Sequence, residues 1–269
     1  MTGTALAFAN EAFALLGTGR QVAPFSARTG AFALTDAYDI VARVAALRQA
    51  RGETPVGRKI GFTNEAVWTG YGISGPIWNY MFDTTVLDAS ALRTGLPLAG
   101  FAEPRIEPEI VLHLAKAPSA NMDEDDLIGC IDWVAPAFEI VHSIFPGWSF
   151  TAADGAAAFG LHGALLLGEH IELCADRERS HRLLSNFTVE MTRGDGMCVQ
   201  GHARNVLGGP VKALRFLVRE LARHGSEPLH AGELVTTGTL TEAMPARAGD
   251  SWSMRFTGID AGCAPVRLR

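Results

Sequence analysis

The sequence predicts an α+β fold: an N-terminal layer of two helices over residues 1–55, then, over 56–269, a mixed sheet rolled around a site with two further helices inserted. Apolar residues at helical spacing are confined to the first two segments and two later ones. After Val56 the pattern changes to short alternating runs punctuated by Gly, Pro and Asp, the signature of half-buried strands. A chain of 269 residues with 48% hydrophobic content can bury one sizeable core.

Residues 4–17 form the first helix, with Phe8, Ala12, Leu15 and Leu16 near one face and Gly17 and Gly19 ending it. A polar linker with Pro24, Ser26 and Gly30 follows. The second helix starts at Thr35 or Asp36, either of which can cap it, and closes at Gly52. Val56 to Thr63 alternates as a strand and carries Lys59, Gly70 to Pro76 is a glycine-rich loop, and Ile77 to Val86 is rich in aromatic residues. Phe101 to Leu112 reads as a strand; Pro108 cannot donate to a ladder, so an edge position or a bulge is expected there. The acidic run Asp123 to Asp126 suits the positive end of a helix dipole, and that helix should reach about Val134. A strand around Glu139 comes next. Thr151 to Gly168 begins as a small-residue loop and passes into a strand. Strands at 187–193 and 197–204, a helix from Pro210 to about His224, a strand over 234–241 and closing strands at 251–257 and 264–268 complete the order.

The net charge is −6 and no basic patch stands out, which argues against nucleic acid as a partner. Cys130, Cys174, Cys198 and Cys263 are far apart and form no CxxC, so they read as reduced, mostly buried thiols of a cytoplasmic protein. The N-terminal apolar run lacks a basic leader and is interrupted by Glu11, as in an amphipathic helix rather than a signal peptide. No stretch approaches the length of a membrane span, and no membrane partner is expected.

In a strand, Glu107 and Glu109 project to one side while Ile106, Ile110 and Leu112 project to the other. Two carboxylates this close repel in a low-dielectric setting. A hard divalent cation, Mg²⁺ or Mn²⁺, relieves that repulsion through oxygen ligands. Glu139, in an equally apolar segment, is a candidate third ligand. The plainer readings are a solvated outer face, or carboxylates paired with Arg105. Lys59, alone in an apolar strand, is a snorkelling residue or an active-site group. Asp154 is a turn residue or a catalytic one, while Ala153 and Thr239 lie in small-residue loops that offer backbone donors. His113 and His142, near the acidic strands, can be ligands, bases or hydrogen-bonded structure.

Lys59-Ile60-Gly61-Phe62-Thr63, Glu107-Pro108-Glu109, Ala137-Phe138-Glu139-Ile140-Val141, Ala152-Ala153-Asp154, Ala231-Gly232-Glu233, Thr237-Gly238-Thr239 and Ala248-Gly249-Asp250 follow one another between about residue 57 and 250. In these motifs and their order the sequence resembles the 2-keto-4-pentenoate hydratase and 4-oxalocrotonate decarboxylase group of the fumarylacetoacetate hydrolase superfamily. The resemblance implies a mixed β-roll of that superfamily's C-terminal type. It implies an octahedral Mg²⁺ or Mn²⁺ held by Glu107, Glu109 and Glu139, and a 2-oxo acid that chelates it through the 1-carboxylate and 2-oxo oxygens. A Lewis acid there stabilises the enolate formed when a proton leaves C3. Lys59 would serve as acid/base or enolate stabiliser, and Thr239 with its neighbouring backbone would receive the substrate carboxylate. The aromatic 77–82 segment, with Trp78, suggests an apolar wall for the substrate tail. A homo-oligomer is implied, and a hydratase–decarboxylase complex is a further partner to consider.

Two departures bear on water activation. Gly155 stands where hydratases of the group usually have Asn, and Gly75 to Asn79 is apolar and aromatic where many have an Asp. The enolate step is unaffected by either. No histidine precedes His113, which disfavours the hydrolytic branch with its N-terminal His/Glu pair. The expected activity is a metal-dependent lyase acting on a small unsaturated 2-oxo acid. Hydration ranks first and decarboxylation second, with a non-catalytic 2-oxo acid binder or partner subunit on the same fold as the rival.

Overall fold

A computed structural model describes residues 2–65, 68–71 and 75–269; the core of the glycine-rich 70–76 loop lies outside the described residues. In chain order the elements are α1 (Thr2–Leu15), α2 (Leu34–Ala50), β1 (Pro55–Gly61), α3 (Trp68–Tyr71), β2 (Ile77–Phe82), β3 (Val86–Asp88), β4 (Arg105–Leu114), α4 (Glu124–Ile128), β5 (Ile131–Val141) and α5 (Ala152–Ala157). Then come β6 (His162–Leu167), β7 (Ile171–Glu172), α6 (Arg177–Ser185), β8 (Thr188–Arg193), β9 (Cys198–His202), α7 (Pro210–Arg223), β10 (Leu234–Thr236), β11 (Met244–Pro245), β12 (Ser251–Thr257) and β13 (Val266–Arg267).

Among the described residues, nine strands form one sheet in the order β2-β1-β10-β4-β5-β6-β3, with β11 also against β4 and β7 against β5. It is mixed: β1–β10 and β3–β6 are parallel pairs and the other pairs are antiparallel. A second, antiparallel sheet runs β13-β12-β8-β9. The fold is α+β. β1 and β5 are three places apart in the large sheet, and the long side chain of Lys59 on β1 brings its ammonium to 3.4 Å from Glu139 on β5.

Aromatic packing joins the N-terminal helices to the sheet. Phe25, in the linker, is fully buried, stacks on Phe8 at 4.5 Å and meets Phe145 edge-on at 5.4 Å. Tyr38 of α2 stacks on Trp78 of β2 at 5.1 Å. All of these belong to one hydrophobic cluster that also takes in Ala152, Ala153 and Ala156 of α5.

Several expectations are corrected. Ala33, not Thr35 or Asp36, is the N-cap of α2; Asp36 lies one turn in and accepts the Ala33 N–H at 2.9 Å. β4 is not an edge strand but lies between β10 and β5. Pro108 is tolerated because β10 covers only Val111 to His113 and β11 only Arg105 and Ile106. Its missing N–H falls in that gap, where its carbonyl accepts the Leu240 N–H at 3.0 Å. α4 stops at Ile128 and Ile131 already begins β5, so the acidic helix is a single short turn rather than one running to Val134. α6 has no counterpart in the sequence reading: Arg177–Ser185 is too polar to show a helical apolar stripe, with Leu184 its buried anchor. Cys174 and Cys198 are exposed, not buried; all four cysteines are free.

The small-residue stretch after Thr151 is not a loop but the buried helix α5. Asp154 closes its N-terminal turn: its carboxylate accepts from Thr151 N–H at 2.9 Å and Thr151 Oγ1 at 2.8 Å. The same group accepts from Ser26 N–H at 2.8 Å and Ser26 Oγ at 2.5 Å, tying the linker to α5. Removing a fully buried carboxylate with these partners orphans several donors at once. Asp154→Ala should therefore lower unfolding free energy by about 2–4 kcal/mol. Urea unfolding measures this, and a loss below about 0.5 kcal/mol would contradict the capping and tethering role.

Candidate active site

β4 and β5 place the acidic residues. Alternation along β4 puts Glu107 and Glu109 on one face, with Ile106, Ile110 and Leu112 buried on the other. Antiparallel register sets Glu107 directly opposite Glu139. Like charges facing each other across a ladder are destabilising, so the pairing calls for a counter-charge. One carboxylate oxygen from each of Glu107, Glu109 and Glu139 lies within 4.8 Å of the other two. Glu109 and Glu139 are fully buried; Glu107 opens to the cavity.

Glu109 and Glu139 are each oriented by a hydrogen bond. Gly238 N–H donates to Glu109 Oε2 at 2.9 Å. His162 Nδ1 lies 2.7 Å from Glu139 Oε1, and its Nε2 lies 3.0 Å from Thr85 Oγ1. Burial holds His162 below the usual imidazole range, so the neutral ring donates Nδ1–H to the carboxylate and accepts at Nε2. Glu109 Oε1 and Glu139 Oε2 are left buried with no hydrogen-bond partner among the described residues. Glu139 Oε2 has only the Lys59 ammonium, at 3.4 Å, and a converging all-oxygen donor set of this kind fits a hard divalent cation.

Lys59 Nζ donates to Gly160 O at 2.9 Å and approaches Glu139 Oε2 at 3.4 Å. Burial acts to discharge it, but Glu139, Glu107 and Glu109 outweigh that and hold it as a cation. Burial also opposes ionisation of Glu139, yet Lys59 and His162 keep its carboxyl well below the ordinary range. Glu107 and Glu109 go the other way: burial raises both, and the neighbouring Glu139 charge adds to it. Without a cation, protons must supply part of the missing positive charge.

The cavity in front of these groups measures about 370 Å³. Lys59, Thr63, Arg105, Glu107, Trp148 and Thr239 are among its lining residues. The backbone around it is strained: Phe62, Phe159 and Leu161 all have positive φ, at 58°, 61° and 68°. Gly160, between the last two, has φ 60°, and a Cβ there would lie 2.9 Å from Asn79 Cβ and 3.1 Å from Lys59 Cδ. That turn delivers Gly160 O to Lys59, Leu161 to the cavity and His162 to Glu139.

Glu107, Glu109, Glu139, Lys59 and Thr239 are thus brought together, and the other expected site residues are not. Asp154 is committed to the α5 cap. Ala153 and Trp78 are core residues behind the cavity and do not line it. The Thr239 hydroxyl is engaged with Thr241, donating to its carbonyl at 3.1 Å. Arg105 does not pair with the carboxylates; its guanidinium lies over Trp148. His113 pairs with Asp132 at 2.6 Å and stacks on Trp133, while His142 is buried against Phe101 and Phe159. His162 and Thr63 were missed. Thr63 is buried, lines the cavity and has an unpartnered Oγ1. It ends the Lys59 motif, the one signal that pointed to it.

No family model matches the chain. A 2-hydroxyhexa-2,4-dienoate hydratase of Comamonas testosteroni is 30% identical over 247 residues, 91% of this chain and 90% of the relative. A 4-oxalocrotonate decarboxylase of a Pseudomonas species is 31% identical over 226 residues, 83% and 84% of the two chains. The chain belongs to the 2-keto-4-pentenoate hydratase and 4-oxalocrotonate decarboxylase family. The fold agrees: the 4-oxalocrotonate decarboxylase of Pseudomonas putida G7, solved with magnesium and adipate, superposes with TM-score 0.90 at 23% identity, covering 100% of this chain and 98% of that one. The departure at Gly155 has a structural counterpart. A Cβ there would lie 3.3 Å from the Phe150 ring and 3.5 Å from Ile77, so the space is closed by apolar groups.

Cation binding at this centre should expel protons. Apparent Mg²⁺ affinity should therefore strengthen as pH rises through about 7, where burial has placed the Glu107 carboxyl. Calorimetric titrations at about pH 6 and about pH 8 check this, and Glu139→Gln should abolish the binding at both. An affinity independent of pH would contradict the protonated resting state.

Proposed function

We propose that the protein is a divalent-metal-dependent lyase acting on a small unsaturated 2-oxo acid through an enolate, with 2-keto-4-pentenoate-type hydration as the first reading. The observation that carries it is the converging carboxylate triad, with Glu109 Oε1 buried and unpartnered, beside a buried cationic lysine. Mg²⁺ or Mn²⁺ held by Glu107, Glu109 and Glu139 supplies a Lewis acid that draws charge from the 2-oxo group.

The chain's own groups do the rest. Lys59, kept charged and aimed by Gly160 O, can donate a hydrogen bond to a developing enolate oxygen or return a proton beside it. A charged ammonium is an acid, so of the two roles expected for Lys59 this one is supported. The Thr63 hydroxyl and the Thr239 backbone offer polar groups for the 1-carboxylate. His162 and Gly238 hold Glu139 and Glu109 in place. Phe62, Val141 and Leu161 give the cavity apolar walls that limit water around the enolate.

Decarboxylation is the second reading. It is supported by the 31% identical relative and by the closed, apolar surroundings of Gly155. The superfamily β-roll, a functional division at residue 55, a homo-oligomeric assembly and a cytoplasmic location remain part of the proposal. Among the described residues no helix is long and apolar enough to cross a membrane.

The enolate step is tested directly by incubating the protein with Mg²⁺ and 2-oxopentanoate in D₂O and following C3 deuteration by NMR. Exchange should require Mg²⁺, vanish in Glu109→Gln, and slow by about 10²-fold or more in Lys59→Met while Mg²⁺ still binds. Metal-loaded protein that catalyses no exchange would favour the non-catalytic binder. Unchanged exchange in Lys59→Met would remove that residue from the chemistry.

A further inference from the structure

Behind Glu139 the hydrogen bonds do not stop at His162. They run on into the turn between β2 and β3, and the groups at the two ends fix their direction. His162 is buried, with Nδ1 2.7 Å from Glu139 Oε1 and Nε2 3.0 Å from Thr85 Oγ1. A neutral imidazole carries one N–H, and burial opposes a second proton. The ring can therefore donate to only one of these neighbours. The Thr85 hydroxyl likewise has one proton and two acceptors in reach, His162 Nε2 at 3.0 Å and Phe82 O at 3.1 Å.

Two arrangements place these protons. In the first, Phe82 N–H donates to Thr85 Oγ1 at 3.3 Å, the hydroxyl donates to Nε2, and Nδ1–H donates to Glu139. Phe82 O keeps its own donor, the Thr85 N–H at 2.9 Å. In the second, Nε2–H donates to Thr85 and the hydroxyl turns to Phe82 O. The bare Nδ1 then faces Glu139 Oε1 at 2.7 Å, which requires a proton on the carboxyl. The Lys59 ammonium, 3.4 Å from the other oxygen of that carboxylate, opposes such a proton. The first arrangement is the stable one, and it depends on the Thr85 hydroxyl.

The turn is built to hold that hydroxyl still. Thr54 N–H donates to Asp83 Oδ1 and Asp83 N–H to Thr54 O, both at 3.0 Å. Thr84 Oγ1 donates to Glu53 at 2.6 Å, and Arg48 and Arg51 clamp Glu53 in turn. From the other side Leu165 N–H donates to Thr85 O at 2.8 Å, and Leu165 faces Glu139 across the β5–β6 ladder. Thr85 is thereby fixed both to the start of β1 and to β6. With Oε1 committed to the ring, Oε2 is the oxygen that Glu139 has left to offer a cation.

We propose that Thr85 is a positioning residue of the metal centre: its hydroxyl fixes His162 in the Nδ1–H form, and that ring holds Glu139 with Oε2 free for the cation. Thr85 itself touches neither the cation nor the substrate. The proposal rests on the metal-dependent reading of the site and adds to it the group, two contacts behind the ligand, that sets its orientation.

The test combines calorimetric Mg²⁺ titration with nitrogen NMR of the histidine rings. In metal-free wild type the His162 ring, identified by the loss of its signals in His162→Gln, should carry its proton on Nδ1 alone. Thr85→Val keeps the shape and removes the hydroxyl. It should weaken Mg²⁺ binding by about tenfold or more, the scale of loss when a partner behind a metal ligand is removed, and leave the His162 ring partly protonated at Nε2. Thr85→Ser should restore both. A wild-type ring protonated at Nε2, as the other tautomer or as the cation, would overturn the proposal without recourse to a variant. Unchanged Mg²⁺ affinity in Thr85→Val would also overturn it, and so would a Thr85→Ser protein as weak as Thr85→Val, which would assign the loss to packing of the turn. Wild type that binds no Mg²⁺ would sink the metal reading and this proposal with it; wild type and Thr85→Val binding Mg²⁺ equally would sink the proposal alone.

Discussion

Burying three carboxylates against one another is the constraint on which the rest of this structure depends. Glu107 and Glu139 face each other across a ladder, and Glu109 completes the cluster from the next position on the same face. Charges taken out of water are tolerated only with opposite charge and hydrogen bonds nearby. The fold supplies both from distant parts of the chain. Lys59 arrives from β1, His162 from the start of β6, and the Gly238 N–H from just beyond β10. Glu109 Oε1 is still left buried and unpartnered, and an all-oxygen set of this kind suits a hard cation better than a structural ion pair.

The strain around the cavity has a consistent logic. The turn Phe159-Gly160-Leu161 runs entirely in the left-handed region, which apolar residues rarely adopt. Within four residues it serves three targets: the lysine, the cavity wall and the imidazole behind Glu139. A relaxed turn would not aim all three. The helical layer provides stiffness behind it. α5 is fully buried, capped by Thr151 and tied to the N-terminal linker through Asp154 and Ser26, and α2 packs against it. The Asp154 carboxylate thus holds both the helix cap and the linker tether.

One centre of this type can serve more than one reaction. Charge drawn onto the 2-oxo group favours either addition of water across a neighbouring double bond or departure of a distal carboxylate, since both pass through the same electron sink. The choice then belongs to the surroundings: whether water is held near the reacting carbon, and what anchors the tail. Around Gly155 the space is taken by Phe150 and Ile77, while the Arg105 guanidinium lies over the Trp148 ring on the cavity wall.

The acidic ligands were legible in the sequence because strand alternation is local. Glu-x-Glu within an apolar run places both carboxylates on one face whatever the partner strands are, and helices with strong apolar stripes, such as α7, were legible for the same reason. Pro108 misled because a proline reports the local ladder, not the strand's place in the sheet: its neighbours β10 and β11 leave a gap where its N–H would be. The Ala-Ala-Asp-Gly stretch misled because small residues favour both loops and tightly packed helices, and only the space around α5 distinguishes the two. α6 was invisible because its helical signal is carried by polar residues. The sequence by itself determined which side chains could hold a cation, since that depends on residue type and strand period. Only the tertiary structure decided that Lys59, His162 and Thr63 join them and that Asp154 and Trp78 do not, because strand order and the strained turn at 159–161, not spacing along the chain, set those distances.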